Sequence, residues 1–95
     1  MNGATSNSPV KVLIADDSVV MRTALTRMVQ SDDSLSVVGT ARTGPETLTK
    51  IDQLQPDVVT LDLEMPGMNG IDTLKEIMRH NPVPVIVFSS HSTST

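Results

Sequence analysis

Four short runs rich in β-branched residues alternate along this chain with three segments whose apolar residues recur every three or four positions. The runs are Val10–Ala15, Leu35–Ala41, Asp57–Asp62 and Val83–Phe88. Runs of this length and composition read as strands, and the intervening period reads as amphipathic helices. An order β-α-β-α-β-α-β joins its strands by helical crossovers, which implies a parallel sheet with right-handed connections. The first, third and fourth runs are apolar on both faces, as a sheet covered by helices on both sides requires. The expected fold class is α/β, a doubly wound parallel sheet.

The first helix is expected from about Ser18 to Gln30, with Met21, Ala24, Leu25 and Met28 on its core face. The second opens at Gly44-Pro45, where Pro suits the first helical turn, carries Leu48, Ile51 and Leu54, and closes at Gln55-Pro56. The third carries Ile71, Leu74, Ile77 and Met78 and ends at Asn81-Pro82. Leu63 to Gly70 is a loop marked by the turn pairs Pro66-Gly67 and Asn69-Gly70. Phe88 is the single aromatic residue, so the core is built from Val, Ile, Leu, Met and Ala. Met21, Met28 and Met78 are read as packing, and Met65 and Met68 as loop residues open to partner contact.

A length of 95 residues suits one domain. It is expected over residues 10–95, after a polar, disordered lead of residues 1–9 that lacks the apolar stretch of a signal peptide. The net charge of −4 and the lack of a Lys/Arg cluster argue against nucleic-acid binding. With no cysteine, disulfides and thiol-based metal or redox sites are excluded. No apolar run approaches membrane length, and a cytoplasmic protein is expected.

In a doubly wound sheet, ligands bind beyond the C-terminal ends of the strands at the topological switch point. The first strand ends in Asp16-Asp17, the third in Asp62, and the fourth in Ser89-Ser90. If the first and third strands are neighbours, three carboxylates converge. Such a cluster resists full ionisation without a cation, and an all-oxygen donor set suits Mg²⁺. Mg²⁺ keeps open positions for phosphate oxygens, so the combination points to phosphoryl transfer onto a carboxylate nucleophile, Asp62. Each residue alone also has an ordinary reading. Asp16 and Asp17 suit a helix cap, Asp62 a loop, and Ser89 a strand end; their joint position at one sheet edge favours the functional one. His80 and His91 have no His or Cys partner at ligand spacing and are read as incidental.

The segments Val-Leu-Ile-Ala-Asp-Asp-Ser, Val-Val-Thr-Leu-Asp-Leu-Glu-Met-Pro-Gly-Met-Asn-Gly and Pro-Val-Ile-Val-Phe-Ser-Ser together resemble the response regulator receiver family over about Val10 to Ser90. The resemblance implies a flavodoxin-like (CheY-like) sheet. It implies that Asp17 ligates Mg²⁺ directly, that Asp16 acts more through water, and that Asp62 is the phosphoacceptor. It adds the backbone carbonyl of Glu64 as a metal ligand and Ser89 as the switch hydroxyl, with Pro66 and Gly70 shaping the loop. Asp-Leu-Glu-Met-Pro and Val-Phe-Ser-Ser are similar to the regulatory domain of chemotaxis protein-glutamate methylesterases (CheB type). That implies a chemotaxis-class histidine kinase as donor and a C-terminal output domain; no esterase triad is contained in these residues. The carboxylate of Glu64 reads equally as a solvated loop group or as one that tunes metal affinity and hydrolysis.

Receiver domains continue through a fourth helix, a fifth strand bearing a phosphoryl-contacting Lys, and a fifth helix. The last Lys here is Lys75, on the third predicted helix. The expectation is therefore an incomplete domain of four strands and three helices, either a shortened piece or an unusually short natural chain. Its fourth strand would be an open edge, favouring a dimer or domain swap. Two rivals stay open: a degenerate, interaction-only receiver-like domain, and an Asp-nucleophile phosphatase of the haloacid dehalogenase type. The latter prefers Asp-x-Asp on its N-terminal strand, where this chain has an adjacent pair. A nucleotide site is disfavoured because no Gly-rich loop follows the first strand.

Overall fold

The computed structural model describes residues 8–89. The lead through residue 7, Ser90 and the His91 tail lie outside the described residues. The elements are β1 (Val10–Ala15), α1 (Val19–Gln30), β2 (Leu35–Ala41), α2 (Gly44–Leu54), β3 (Val58–Asp62), α3 (Gly70–His80) and β4 (Val85–Phe88). All strand pairs are parallel, in the order β2-β1-β3-β4. The chain runs from β1 outward to β2, then crosses back over β1 to β3, so the direction of winding reverses between β1 and β3. That reversal is the switch point of this fold.

Strand alternation divides β1 between two faces. Leu13 and Ala15 join Ile51 of α2, Ile77 of α3, and Val59 and Leu61 of β3 in the main core cluster. Val12 and Ile14 point the other way and are also buried, while α1 lies against β1 and β2. Each fully buried Leu or Ile of this kind contributes about 1.5–3 kcal/mol. Asp57 ties the start of β3 to β1: its amide N–H donates to the Lys11 carbonyl at 2.8 Å and its Oδ2 accepts from the Lys11 amide at 2.7 Å.

The expected core faces of α1 and α3 need correction. No residue of α1 is fully buried, and Met28 is 66% exposed. Met21, Arg22, Leu25 and Val29 are half-buried, whereas Ala24 and Met28 are exposed. The inner stripe is thus rotated by about one residue from the apolar one, with Arg22 and Val29 in the places expected of Ala24 and Met28. On α3 the buried residues are Gly70, Thr73 and Ile77, while Ile71 and Met78 are exposed. Thr73 can sit in the interior because its hydroxyl donates to the Asn69 carbonyl at 3.0 Å; Thr47 of α2 does the same to Thr43 at 2.7 Å. Back-bonding of this sort hides a polar group inside a helix turn, so a stripe counted on apolar residues misses it. Met65, expected to face partners, is instead buried in the core. The fourth strand begins at Val85 rather than Val83, and Ile86 and Val87 are exposed; among the described residues it is not covered on both faces.

Two glycines shape the loop between β3 and α3. Gly67 has φ 90°, the value that the second central position of a Pro-Gly type II turn demands. At Gly70, a Cβ would collide with the Cα of Leu63 and lie 3.0 Å from its carbonyl carbon. The start of α3 therefore rests directly on the backbone that follows Asp62. Gly70→Ala is expected to destabilise the fold by about 1–3 kcal/mol, read as a Tm lowered by roughly 4–8 °C per kcal/mol. An unchanged Tm in thermal unfolding would show that this contact yields freely.

Candidate functional site

The polar ends of β1 and β3 meet at the switch point. Asp16 follows β1 directly and Asp62 is the last residue of β3; both are 0% exposed, while Asp17 is exposed. One carboxylate oxygen from each of Asp16, Asp17 and Asp62 lies within 4.8 Å of the others. The register that aligns Ala15 with Leu61 puts the next residue of each strand, Asp16 and Asp62, side by side.

Each carboxylate is held by its local backbone. Asp16 Oδ1 accepts the Ser18 amide N–H at 2.9 Å, and the Asp16 amide donates to the Ala41 carbonyl at 2.9 Å. Asp16 Oδ2 is buried with no hydrogen-bond partner among the described residues. Asp62 Oδ1 accepts the Glu64 amide N–H at 2.9 Å. The cap of α1 is Ser18, whose Oγ accepts from the Met21 amide at 3.2 Å. Asp16 and Asp17, for which capping was the ordinary alternative, are left outside the helix, beside Asp62.

Electrostatics follow from this crowding. Burial pushes the Asp16 carboxyl above its ordinary 3.8, the Ser18 amide opposes the shift, and the charge of Asp62, the side-chain interaction with Asp62 and then the charge of Asp17 add to it. A carboxylate that is buried, beside two others and short of one donor is a group that a hard cation would satisfy.

Glu64 and Ser89 complete the edge. The hydroxyl of Ser89, the residue after β4, donates to Glu64 Oε2 at 3.4 Å. The Leu63 amide donates to the Phe88 carbonyl at 2.9 Å, which holds the end of β4 against the loop after Asp62. Strand-end position placed Asp16, Asp17 and Asp62 at one edge, and the structure brings their carboxylates together there; Ser89, also placed by its strand end, meets Glu64, which only the resemblance names. Strand-end position missed Arg22, whose Nη1 donates to the Asp16 backbone carbonyl at 2.9 Å. The available signal was spacing: Arg22 lies four residues past the Ser18 cap, one turn into α1.

The four-stranded parallel sheet in this order, with a carboxylate cluster at its switch point, has the flavodoxin-like arrangement of doubly wound α/β domains. Residues 12–95 match the family model of the response regulator receiver domain, and the chain belongs to that family. Within it, the chain is similar to the protein-glutamate methylesterase/protein-glutamine glutaminase of Symbiobacterium thermophilum, with 55% identity over 88% of this chain and 23% of that protein. It is also similar to the response regulator domain of Thermotoga maritima CheB, at 43% identity and TM-score 0.84, over 90% of this chain and 64% of that one. A chain of the CheX–CheY–BeF3–Mg²⁺ complex of Borrelia burgdorferi superposes with TM-score 0.85 at 34% identity, over 95% of this chain and 69% of that one. The chain spans about a quarter of the length of the methylesterase relatives it matches. No helix among the described residues is long and apolar enough to cross a membrane.

Proposed function

We propose that this chain is the phosphoacceptor module of a CheB-type response regulator, taking a phosphoryl group from a chemotaxis-class histidine kinase onto Asp62 in the cytoplasm. The observation that carries this reading is the convergence of Asp16, Asp17 and Asp62 within 4.8 Å at the switch point. Asp62 supplies the nucleophile. A carboxylate oxygen bonds to phosphorus as the bond from phosphorus to the donor imidazole nitrogen breaks, and that nitrogen keeps the electron pair. The Glu64 amide N–H holds Asp62 Oδ1 and so orients the carboxylate for attack.

The residues fit Mg²⁺, since among the described residues Asp16 Oδ2 is buried without a hydrogen-bond partner and the donor set is all oxygen. Asp17, Asp62 and the Glu64 carbonyl would hold the ion, with Asp16 acting more through water. Bound there, Mg²⁺ supplies positive charge toward the oxygens of the transferring group. Ser89 is the switch hydroxyl: it exchanges its contact with Glu64 for one with the phosphoryl group. The Borrelia burgdorferi complex contains Mg²⁺ and BeF3, the latter a chemical stand-in for a phosphoryl group, which supports a phosphoryl group and Mg²⁺ as ligands for this site. In the longer relatives the module would govern methylesterase output.

Incubation with Mg²⁺ and a small acyl phosphate should add one phosphoryl group to the intact mass, and a chelator should prevent it. Failure to gain mass under both conditions, with the chain folded, would favour an interaction-only domain instead. Turnover of simple phosphoesters would favour the phosphatase reading.

The same proposal extends to self-association. Among the described residues β4 is an outer strand of the sheet, and Ile86 and Val87 on it are 59% and 44% exposed. A strand edge left unpaired would offer its backbone groups to a second chain. Sedimentation should show a mass that rises with concentration; a monomer at all concentrations would remove the dimer.

A further inference from the structure

We infer that Arg22 is a positioning residue for the acidic site, holding the Asp16–Asp17 peptide in the orientation that presents both carboxylates to a cation. The inference rests on the metal-binding reading above and adds a residue outside the carboxylate set. Its core is the 2.9 Å hydrogen bond from Arg22 Nη1 to the Asp16 carbonyl.

Helix geometry explains how this contact forms. Side chains in an α-helix lean toward its N-terminus. From Arg22, one turn past the Ser18 cap, the guanidinium reaches back over the first turn to the end of β1. The helix itself gives the charge no reason to be there. A cation near a helix N-terminus opposes the macrodipole, and the first turn of α1 holds no acidic residue to offset it. What Arg22 meets instead is the carbonyl that joins Asp16 to Asp17.

That carbonyl is the remaining handle on the turn. The Asp16 amide is tied to Ala41, and the Asp16 carboxylate to the Ser18 amide. With Arg22 on the carbonyl, three separate bonds fix the residue, and the plane of the next peptide is set with it. Asp17 is exposed and projects from that peptide. Without Arg22, the turn loses one of these three bonds, the one that fixes the Asp16–Asp17 peptide, and Asp17 samples more orientations.

Two effects of Arg22 on a divalent cation have opposite signs, which makes the inference testable. As a bare charge, Arg22 repels the ion, so its removal would tighten binding. As a positioning group it aids binding, so its removal weakens it. Loss of an outer-shell partner commonly costs about 10–100-fold in metal affinity. Since one nitrogen makes the contact, a Lys able to offer a single donor from a similar reach should replace it in part.

The experiment is a Mg²⁺ titration followed by the amide chemical shifts of Asp16, Asp17 and Ser18, in the parent chain and in Arg22→Ala and Arg22→Lys. The expected result is affinity about 10-fold weaker in Arg22→Ala, with most of the loss recovered in Arg22→Lys. Unchanged or tighter binding in Arg22→Ala would overturn the inference while leaving the metal site standing. If Arg22→Ala fails to fold, Arg22→Met decides, since it keeps the side-chain bulk and removes both charge and donor: weaker binding than the parent, toward the roughly 10–100-fold range, supports the positioning role, and unchanged or tighter binding overturns it. A parent that shows no saturable shift at these amides would remove the metal reading and this inference together.

Discussion

Asp62→Asn is expected to yield a folded chain that gains no phosphoryl group under conditions where the parent gains one. The substitution keeps the shape of the side chain, and its remaining oxygen can still accept the Glu64 amide N–H that now reaches Asp62 Oδ1 at 2.9 Å. What it removes is the nucleophile, because an amide nitrogen does not attack phosphorus as a carboxylate oxygen does. The site also loses one of three crowded negative charges, so affinity for a divalent cation should fall as well. The control is Asp57→Asn, just before the opposite end of the same strand, where among the described residues the carboxylate accepts the Lys11 amide. Intact mass should show phosphoryl gain in the parent and Asp57→Asn and none in Asp62→Asn. Equal gain in Asp62→Asn would place the acceptor elsewhere and end the reading.

Much of this site was legible before any coordinates, for a physical reason. Period-two and period-3.6 patterns identify strands and helices, and a parallel α/β sheet puts every strand's C-terminal end on one edge. Asp16, Asp17, Asp62 and Ser89 could therefore be assigned to one edge from chain position alone. The resemblance then supplied their roles. What was not legible depended on contacts that polarity obscures. Thr47 and Thr73 are buried because each hydroxyl turns back onto its own helix, and no apolar count registers that. Arg22 is half-buried with its guanidinium on the Asp16 carbonyl, while the apolar Met28 on the same helix is exposed. Met65 was misplaced for the converse reason: a loop position says nothing of where a Pro66-Gly67 turn directs the residue before it. An apolar stripe tells which residues share a face, and the neighbouring elements decide how deeply that face is covered.

Asp16→Asn should stabilise the metal-free chain and, at the same time, remove most of its response to Mg²⁺. Asp16 is fully buried, one of its oxygens has no hydrogen-bond donor among the described residues, and burial followed by the charge and side-chain interaction of Asp62 raises its carboxyl above 3.8. The folded state then binds a proton more tightly than the unfolded chain. Unfolding releases that proton, so metal-free stability falls as pH rises from about the ordinary carboxylate value through the raised folded one, and levels off above it. Asn abolishes this slope. Its carbonyl oxygen can keep the Ser18 amide, and its amide can donate toward the neighbouring Asp62 carboxylate, where two acid groups otherwise face each other. Relief of one unsatisfied buried group is worth about 1–3 kcal/mol, a Tm higher by roughly 4–8 °C for each of those kcal/mol. Mg²⁺ acts on the parent in the other direction: at about 100 times its Kd it adds roughly 2.7 kcal/mol, and the gain is largest above the pH window in which Asp16 titrates. Thermal unfolding from pH 4 to pH 8, with and without Mg²⁺, should show a parent whose metal-free Tm declines across that window and recovers with the ion, and a variant nearly flat in both respects. A variant less stable than the metal-free parent at pH 8 would mean that Asp16 supports the fold rather than straining it, and that the crowding of carboxylates at the switch point is not where stability is given up for binding.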